Sequence, residues 1–423
     1  MFRGFSQIFS KSNKDLRKRI YFTLACLGLF CLGTTVTIPW ASQIYQDLGF
    51  LEIFNLMSGG GLQNFSIFAL GVSPYITASI ITQLLQMDII PYFKDLKDQG
   101  YVGRQKMNKI TRYLSIVLAF IQAYALCAFY MKNLGTMEII KTTLVMTAGT
   151  SFCLWLGDEI TKKGIGNGSS MIIMAGIIQS MPSIFKGAFN AFINGSYSNT
   201  VGIILFSTFI LVYVLVLVGI IYIQLAERRI PIQYANRSSS AYGAQQSYLP
   251  IKINSAGVIP VIFAQILLTI PSTIVAFTKS EKAIEFVNKY IIYSSGTGMI
   301  LYVLLIIFFG YFYTFMIMNP EEMSKNLNER GGYIPGVRPG NDTTNFISNS
   351  MGKLTLVGSF FLMVIAILPV LMSKISGLNS AVTIGGTGLL IVVGVAIETF
   401  KQIESSLLAR SYKEKRKRLK WKM

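Results

Sequence analysis

Few residues of this chain have types and spacings that could do chemistry. Gly164-Ile-Gly-Asn-Gly168 has glycines placed like a phosphate-cradling loop. It lacks the preceding strand and the lysine that a Walker motif needs, so it reads as a tight turn leading into a helix. Asp158 and Glu159 stand at the end of one apolar stretch and Glu398 near the exit of the last. Ion-coupled carriers keep carboxylates or basic groups inside their spans, and the scarcity of such groups here argues against a proton- or ion-driven pump. Cys26, Cys31, Cys127 and Cys153 all fall in apolar stretches without zinc-like spacing, and histidine is absent. They read as small buried hydrophobes. No metal, disulfide or cofactor is implied, and nothing supports an enzyme.

In place of reactive groups the chain offers a repeat. Gly71-Val-Ser-Pro-Tyr-Ile-Thr-Ala-Ser-Ile80 and Gly257-Val-Ile-Pro-Val-Ile-Phe-Ala-Gln-Ile266 both read G-V-x-P-x-I-x-A-x-I. Gly/Pro-interrupted apolar segments in corresponding places of two halves point to the working site of a membrane protein. Ile76 and Ile80 share one helix face, as do Ile173 and Ile177. Isoleucines in membrane helices ordinarily meet lipid or core. Converging on a cavity, they would form a hydrophobic constriction that closes by dewetting. Thr77, Ser79, Thr82, Gln83 and Gln86 make the first copy polar, as suits a helix that meets water part of the time.

The elements that position these residues follow from composition. The chain has 423 residues, 52% hydrophobic and only 13% charged, against about 25% charged in soluble domains; its mean hydropathy is +0.52. Ten stretches approach the roughly 20 apolar residues that a bilayer core requires. They lie at 20–39, 72–88, 113–131, 142–157, 168–185, 201–224, 255–277, 298–318, 354–373 and 383–400. The first follows basic residues but is long for a signal peptide and precedes nine more spans, so it reads as retained. With both termini cytosolic, all of the 38 Lys and Arg except Lys132, Lys141, Lys186, Lys279, Lys282, Lys289 and Lys374 lie on the cytosolic side. That asymmetry is the positive-inside rule, and it accounts for the net charge of +19 without DNA as a partner. The basic tail, Lys413 to Lys422, suits anionic phospholipid or, more specifically, ribosomal RNA or an acidic motor.

The fold class expected is an all-α membrane protein with ten transmembrane helices in two inverted halves of five, residues 1–190 and 195–423. A weaker echo supports it: Gly168 is followed five residues on by Ile173, and Gly386 by Ile391. From Pro74 to Met87 the second span has 14 residues, about 21 Å of helix against a core of about 30 Å. Before it come three glycines, Gly59 to Gly61, and the uncharged run Leu62–Leu70. No Lys or Arg occurs between Pro39 and Ser73. A re-entrant segment at about 60–72 fits this pattern, and irregular backbone at that depth must be buried in protein or line a cavity.

Several longer motifs resemble the SecY family, the channel subunit of the bacterial protein-translocation complex. They are GGGLQNFSIFALGVSPYITASIITQLL from Gly59, LGDEITKKGIGNGSS, AERRIPIQYANR, INSAGVIPVIFA, NPEEMSKNLNERGGYIPGVRPG and GGTGLLIVVGVAIETFKQIES. The resemblance runs in order from the basic arm to the tail. It implies a pore ring of Ile76, Ile80, Ile173, Ile177, Ile262 and Ile391. It implies a re-entrant plug helix including Leu62, Phe65, Ile67, Phe68 and Leu70. A lateral gate between spans two and seven would include Pro74, Thr77, Ile81, Thr82, Pro260 and Ile270. The cytosolic loops 225–254 and 319–353 would dock SecA or the ribosome through Arg228, Arg229 and Arg338, since an arginine fork suits phosphate or carboxylate better than lysine does. Other implied partners are SecE, SecG, signal sequences and unfolded preproteins, in the bacterial plasma membrane. Two departures, Cys31 where many members carry Arg and the weakly basic Ser238–Ser247 loop tip, keep an accessory translocon in view. An inverted-repeat solute transporter is the rival from another class.

Overall fold

The computed structural model describes residues 14–41, 52–86, 90–131, 135–193, 199–234, 247–278, 281–291, 295–376 and 385–420. Among these, fourteen helices and three short strands follow in chain order. The first helices are α1 (Lys14–Thr35), α2 (Glu52–Met57), α3 (Ser73–Leu85), α4 (Pro91–Asp98), α5 (Tyr101–Tyr130), α6 (Thr136–Lys163), α7 (Gly168–Ile193) and α8 (Asn199–Leu225). Strands β1 (Glu227–Tyr234) and β2 (Ser247–Lys252) precede α9 (Ile259–Thr278), α10 (Glu281–Tyr290), α11 (Gly296–Ile317) and α12 (Pro320–Glu329). Strand β3 (Gly332–Tyr333), α13 (Asn341–Ser376) and α14 (Gly385–Lys420) complete the described chain. The basic arm before Lys14 and the loop tip from Ser238 to Gln246 lie outside the described residues.

Among the described residues, six helical stretches are long and apolar enough to cross a membrane: Tyr101–Tyr130, Thr136–Lys163, Gly168–Ile193, Thr200–Leu225, Gly296–Glu329 and Asn341–Leu368. The remaining four expected spans coincide with α1, α3, α9 and α14. Helix α3 has 13 residues, too short to span a bilayer core alone. Helices α8 and α11 are apolar on every side, and on α8 Ile203, Leu211, Val214, Leu215 and Val218 are all exposed. An all-round apolar helix with an open surface is built to face lipid.

Contacts divide the chain into two units. One comprises Met1–Ala188, Ala276–Lys279 and Ser380–Met423; the other comprises Phe189–Val275 and Ser280–Asn379. In the first, α5 packs against α3 and α6, and α6 against α1. Its core joins Phe30 and Cys26 of α1 to Cys153, Leu156 and Ile160 of α6 and Ile172 of α7, with Val395 of α14 packed alongside. Cys26, Cys127 and Cys153 are buried and Cys31 is half-buried, so these thiols fill space.

In the second unit α13 packs against α11 and α12. The two polar loops contain an antiparallel sheet of order β2-β1-β3. The described residues are mostly helical, as an all-α membrane protein requires, and the long loops add a small sheet that was not expected. Its cause is an alternation in Glu227–Tyr234 that buries Ile230 and Ile232 and exposes Arg229, Pro231 and Gln233, the period of a half-buried strand. Those isoleucines, with Ile251 of β2, Leu327 of α12, and Ile347 and Met351 of α13, form one core. Asn319 caps α12 by accepting from the Glu321 amide at 3.0 Å, ahead of Pro320 and the acidic pair Glu321 and Glu322. Each of those placements favours a helix N-terminus.

Candidate functional site

The two copies of the repeated motif fold alike, each within its own unit. Gly71 has φ +52° and Gly257 φ +64°, the left-handed region that a side chain disfavours. Each is followed two residues later by the first residue of a helix, with Pro74 or Pro260 at its second position. There the missing amide costs nothing, because first-turn amides have no intrahelical partner. The same hydrogen bonds close both first turns: Tyr75 N–H to Val72 O and Ile76 N–H to Val72 O in one, Val261 N–H to Val258 O and Ile262 N–H to Val258 O in the other, all 3.1–3.3 Å. One backbone device therefore starts α3 and α9 and places Ile76 and Ile262 at equivalent points of their first turns.

Of the isoleucines expected around a ring, Ile80, Ile173, Ile177 and Ile391 are 8%, 8%, 2% and 7% exposed. Ile76 and Ile262 are half-buried. On α7 the contrast is sharp, since Ile178 is 47% exposed. A Cβ built on Gly388 would lie 3.1 Å from Ile177 Cγ2, so α14 approaches α7 one turn before Ile391. Ile177 and the start of α14 are brought together within the first unit.

The segment Leu62–Leu70 is a succession of tight turns, which corrects the expected re-entrant helix. Phe65 N–H donates to Leu62 O, Ser66 N–H to Gly61 O, Ala69 N–H to Ser66 O and Gly71 N–H to Phe68 O, at 2.9–3.2 Å. Positive φ at Gly59, Gly60, Phe65 and Gly71 breaks helical continuity. A bridge between Thr37 and Ser66 joins the segment to the end of α1, through Ile38 N–H to Phe65 O and Ile67 N–H to Val36 O, both 3.0 Å. Leu62 and Phe65 are each 1% exposed, Phe68 and Leu70 are buried, and Ile67 is half-buried. Irregular backbone is here enclosed by protein, the condition under which such backbone is tolerated at membrane depth.

Among the expected gate residues, Pro74, Thr77 and Thr82 are buried and Ile81 is half-buried. Thr82 turns toward α5, where Thr111 Oγ1 donates to it at 3.2 Å. In the second unit Pro260 is buried and Ile270 is 45% exposed.

The Gly164–Gly168 loop uses its amides internally. Gly164 N–H donates to Ile160 O at 2.7 Å, Ile165 N–H to Thr23 Oγ1 at 3.0 Å, Gly166 N–H to Gln402 Oε1 at 2.6 Å and Gly168 N–H to Thr161 Oγ1 at 2.9 Å. A phosphate cradle would present those groups to a ligand. Instead the loop ties α6 and α7 to α1 and α14. Arg112 of α5 pairs with Asp158 of α6 beside it.

The sheet places the two long loops side by side, which spacing alone did not reveal. Gln233 and Tyr234 of β1 face Tyr333 and Gly332 of β3, and Tyr333 Oη donates to Gln233 Oε1 at 2.9 Å. Beyond β3 the GVRPG turn is held on both flanks. Val337 N–H donates to Ile334 O at 3.1 Å, Thr343 Oγ1 to Arg338 O at 2.8 Å and Ser324 Oγ to Gly340 O at 3.2 Å. Arg338 itself is exposed. Arg228 is exposed too. Arg229 is engaged: its Nε donates to Glu227 Oε1 at 2.9 Å and its guanidinium lies 4.7 Å from the Tyr248 ring centre. The Glu227 hydrogen bond pushes its pKa further above the usual arginine value. Arg228 and Arg338 are therefore the freer cations of the three.

Comparison with known proteins places this geometry. The family model named SecY matches residues 66–400. The protein translocase subunit SecY of Staphylococcus epidermidis is 43% identical over 428 residues, 98% of this chain and 99% of the relative. Its counterpart in Staphylococcus aureus is 45% identical over 416 residues, 95% and 96%. Two solved structures share the fold at lower identity. A protein-conducting channel has a TM-score of 0.67 at 21% identity, covering 92% of each chain. Sec61 in the canine ribosome-channel complex has 0.61 at 20%, again covering 92% of each.

Proposed function

The chain belongs to the SecY family and is the channel subunit of the Sec translocon, a multi-pass membrane protein and not an enzyme, and on that premise we propose how its residues conduct a polypeptide. Near-full-length identity of 43–45% to translocase subunits is the observation that carries the reading. The chain spans the bacterial plasma membrane ten times with both termini in the cytosol; α1, α9, α14 and α3 together with the segment that precedes it supply the spans beyond the six helical stretches that are long and apolar enough by themselves. Ile76, Ile80, Ile173, Ile177, Ile262 and Ile391 form the constriction. A ring of branched aliphatic side chains fits loosely around any extended chain, selects no sequence and hinders ions by staying dry.

Residues 62–70 act as the plug of the resting channel, and α3 and α9 as the two sides of the gate that releases apolar segments into lipid. Opening is a population shift: a signal sequence binds the open state more tightly than the closed one. The driving force comes from SecA or the elongating ribosome, docked on the sheet and the GVRPG turn, with SecE and SecG as companion subunits. The repeat geometry at Gly71 and Gly257 supports the inverted halves, and the sheet that unites the two loops supports a shared docking face.

The test is transport in vesicles containing the purified chain, SecE and SecG. Addition of SecA and ATP moves an unfolded preprotein into a protease-protected lumen. Protection independent of SecA, or none at all, would contradict the reading. An accessory translocon is distinguished by depletion: bulk secretion stops when the housekeeping channel is lost and continues when an accessory one is.

A further inference from the structure

On the reading of residues 62–70 as the plug, we infer that Gly149 and Gly33 set its closed position, that Gly176 seats the Met57–Gly59 turn leading into it, and that two buried hydroxyls keep the seat releasable. A Cβ on Gly149 of α6 would overlap the Ile67 carbonyl oxygen and sit 2.9 Å from its carbon. A Cβ on Gly176 of α7 would overlap the Met57 carbonyl oxygen and lie 3.1 Å from Gly59 N. A Cβ on Gly33 of α1 would overlap the Phe68 ring. Backbone meets backbone at the first two, an approach that only glycine permits.

The ring above Gly33 is fixed from both sides. Phe68 stacks with Phe30 of α1 at 6.1 Å between centroids and 5° between planes, and with Phe152 of α6 at 5.7 Å and 14°. Behind the seat, the Thr34 hydroxyl and the Gln179 amide exchange hydrogen bonds at 2.9 and 3.1 Å, tying α1 to α7. Ser180 Oγ donates to Leu56 O at 3.3 Å.

Other features oppose this grip. Ser66 and Thr150 are completely buried, and their hydroxyl oxygens have no hydrogen-bond partner among the described residues. They are the chain neighbours of Ile67 and Gly149, one of the two backbone pairs that hold the seat. An unsatisfied buried hydroxyl destabilises the state that holds it. Phe65 adds strain, with φ 44°, rare for a non-glycine residue. The seat is thus sterically fixed in position and weakened in depth. That combination lets a bound signal sequence lift the segment while thermal motion seldom does.

Opposite substitutions should therefore act in opposite directions. Gly149→Ala or Gly176→Ala lifts the segment, raising the resting conductance of the reconstituted complex about tenfold and exporting preproteins with defective signal sequences. Ser66→Ala or Thr150→Val deepens the seat. Export of a preprotein with a weakened signal sequence then falls about tenfold, a shift of about 1.4 kcal/mol, while a strong signal is exported normally. Deleting residues 62–70 tests the underlying reading: unchanged conductance on deletion overturns the plug itself. If deletion leaks but the glycine variants seal normally, the seat is overturned and the plug stands. If the glycine variants fail to assemble, the hydroxyl variants decide, and relaxed or unchanged signal discrimination in both contradicts the inference.

Discussion

Asparagine in place of Ile80, Ile177 and Ile391 together raises the resting ion conductance of the reconstituted channel at least tenfold. All three side chains are nearly withdrawn from the surface of their unit, at 8%, 2% and 7% exposure, and they sit on three different helices, α3, α7 and α14. A narrow passage lined by branched hydrocarbon expels water, and ions then face a barrier without solvation. An amide side chain offers hydrogen bonds to water at the same point, so the passage wets. The substitution also relaxes discrimination against defective signal sequences, because a wetted constriction no longer favours the closed state. A triple variant that assembles with SecE and keeps a normal seal in bilayer recordings would remove these residues from the ring. Substituting Ile178, which is 47% exposed on the same helix as Ile177, is the control and leaves the seal intact.

The second large effect is at the proposed docking face. Arg338→Glu lowers SecA-driven translocation at least tenfold while leaving assembly with SecE unchanged. The side chain is exposed on a turn fixed by Thr343, Ser324 and the strand pairing of Tyr333. Its removal therefore disturbs little packing, and exposed substitutions of that kind rarely move stability by more than about 0.5 kcal/mol. What changes is a preorganised guanidinium offered to a carboxylate or phosphate. Arg338→Lys retains part of the activity, since lysine keeps the charge and loses the planar fork. Arg229→Ala has a smaller effect on docking than Arg338→Glu, because Glu227 and Tyr248 already occupy its guanidinium. Unchanged transport by Arg338→Glu would place the motor contact elsewhere.

The repeat is the feature most legible in the sequence. G-V-x-P-x-I-x-A-x-I encodes its own geometry, a left-handed glycine and a proline at the second helical position, so the helix starts after Gly71 and Gly257 need no tertiary information. Apolar length likewise marks six of the helical stretches. The sheet is harder to see, although Ile230 and Ile232 alternate with polar neighbours. Charge dominates the surrounding loop, and Pro231 within the run weakens the strand signal. The segment 62–70 is recognisable as an interruption but not as a set of turns, because its hydrophobicity is clear while Phe65 in the left-handed region has no sequence signature. By residue type alone Arg229 stands with Arg228 and Arg338. Its partners, Glu227 two residues away and Tyr248 across the hairpin, emerge only from the pairing register. The grouping of α14 with α1–α7 is similarly tertiary: Gln402 reaches the Gly166 amide across 236 residues of chain.

Ile262 stands in the copy of the repeat that opens α9, half-buried, at the position equivalent to Ile76. A photo-activated crosslinker placed there, in a complex halted by a preprotein with a folded C-terminal domain, asks whether a polypeptide passes that point. The adduct should contain the preprotein, form only in the presence of SecA and ATP, and map to the extended stretch that precedes the folded domain. Adducts confined to lipid or to the chain's own helices, while protease protection shows the preprotein engaged in transit, would mean that the polypeptide takes another route.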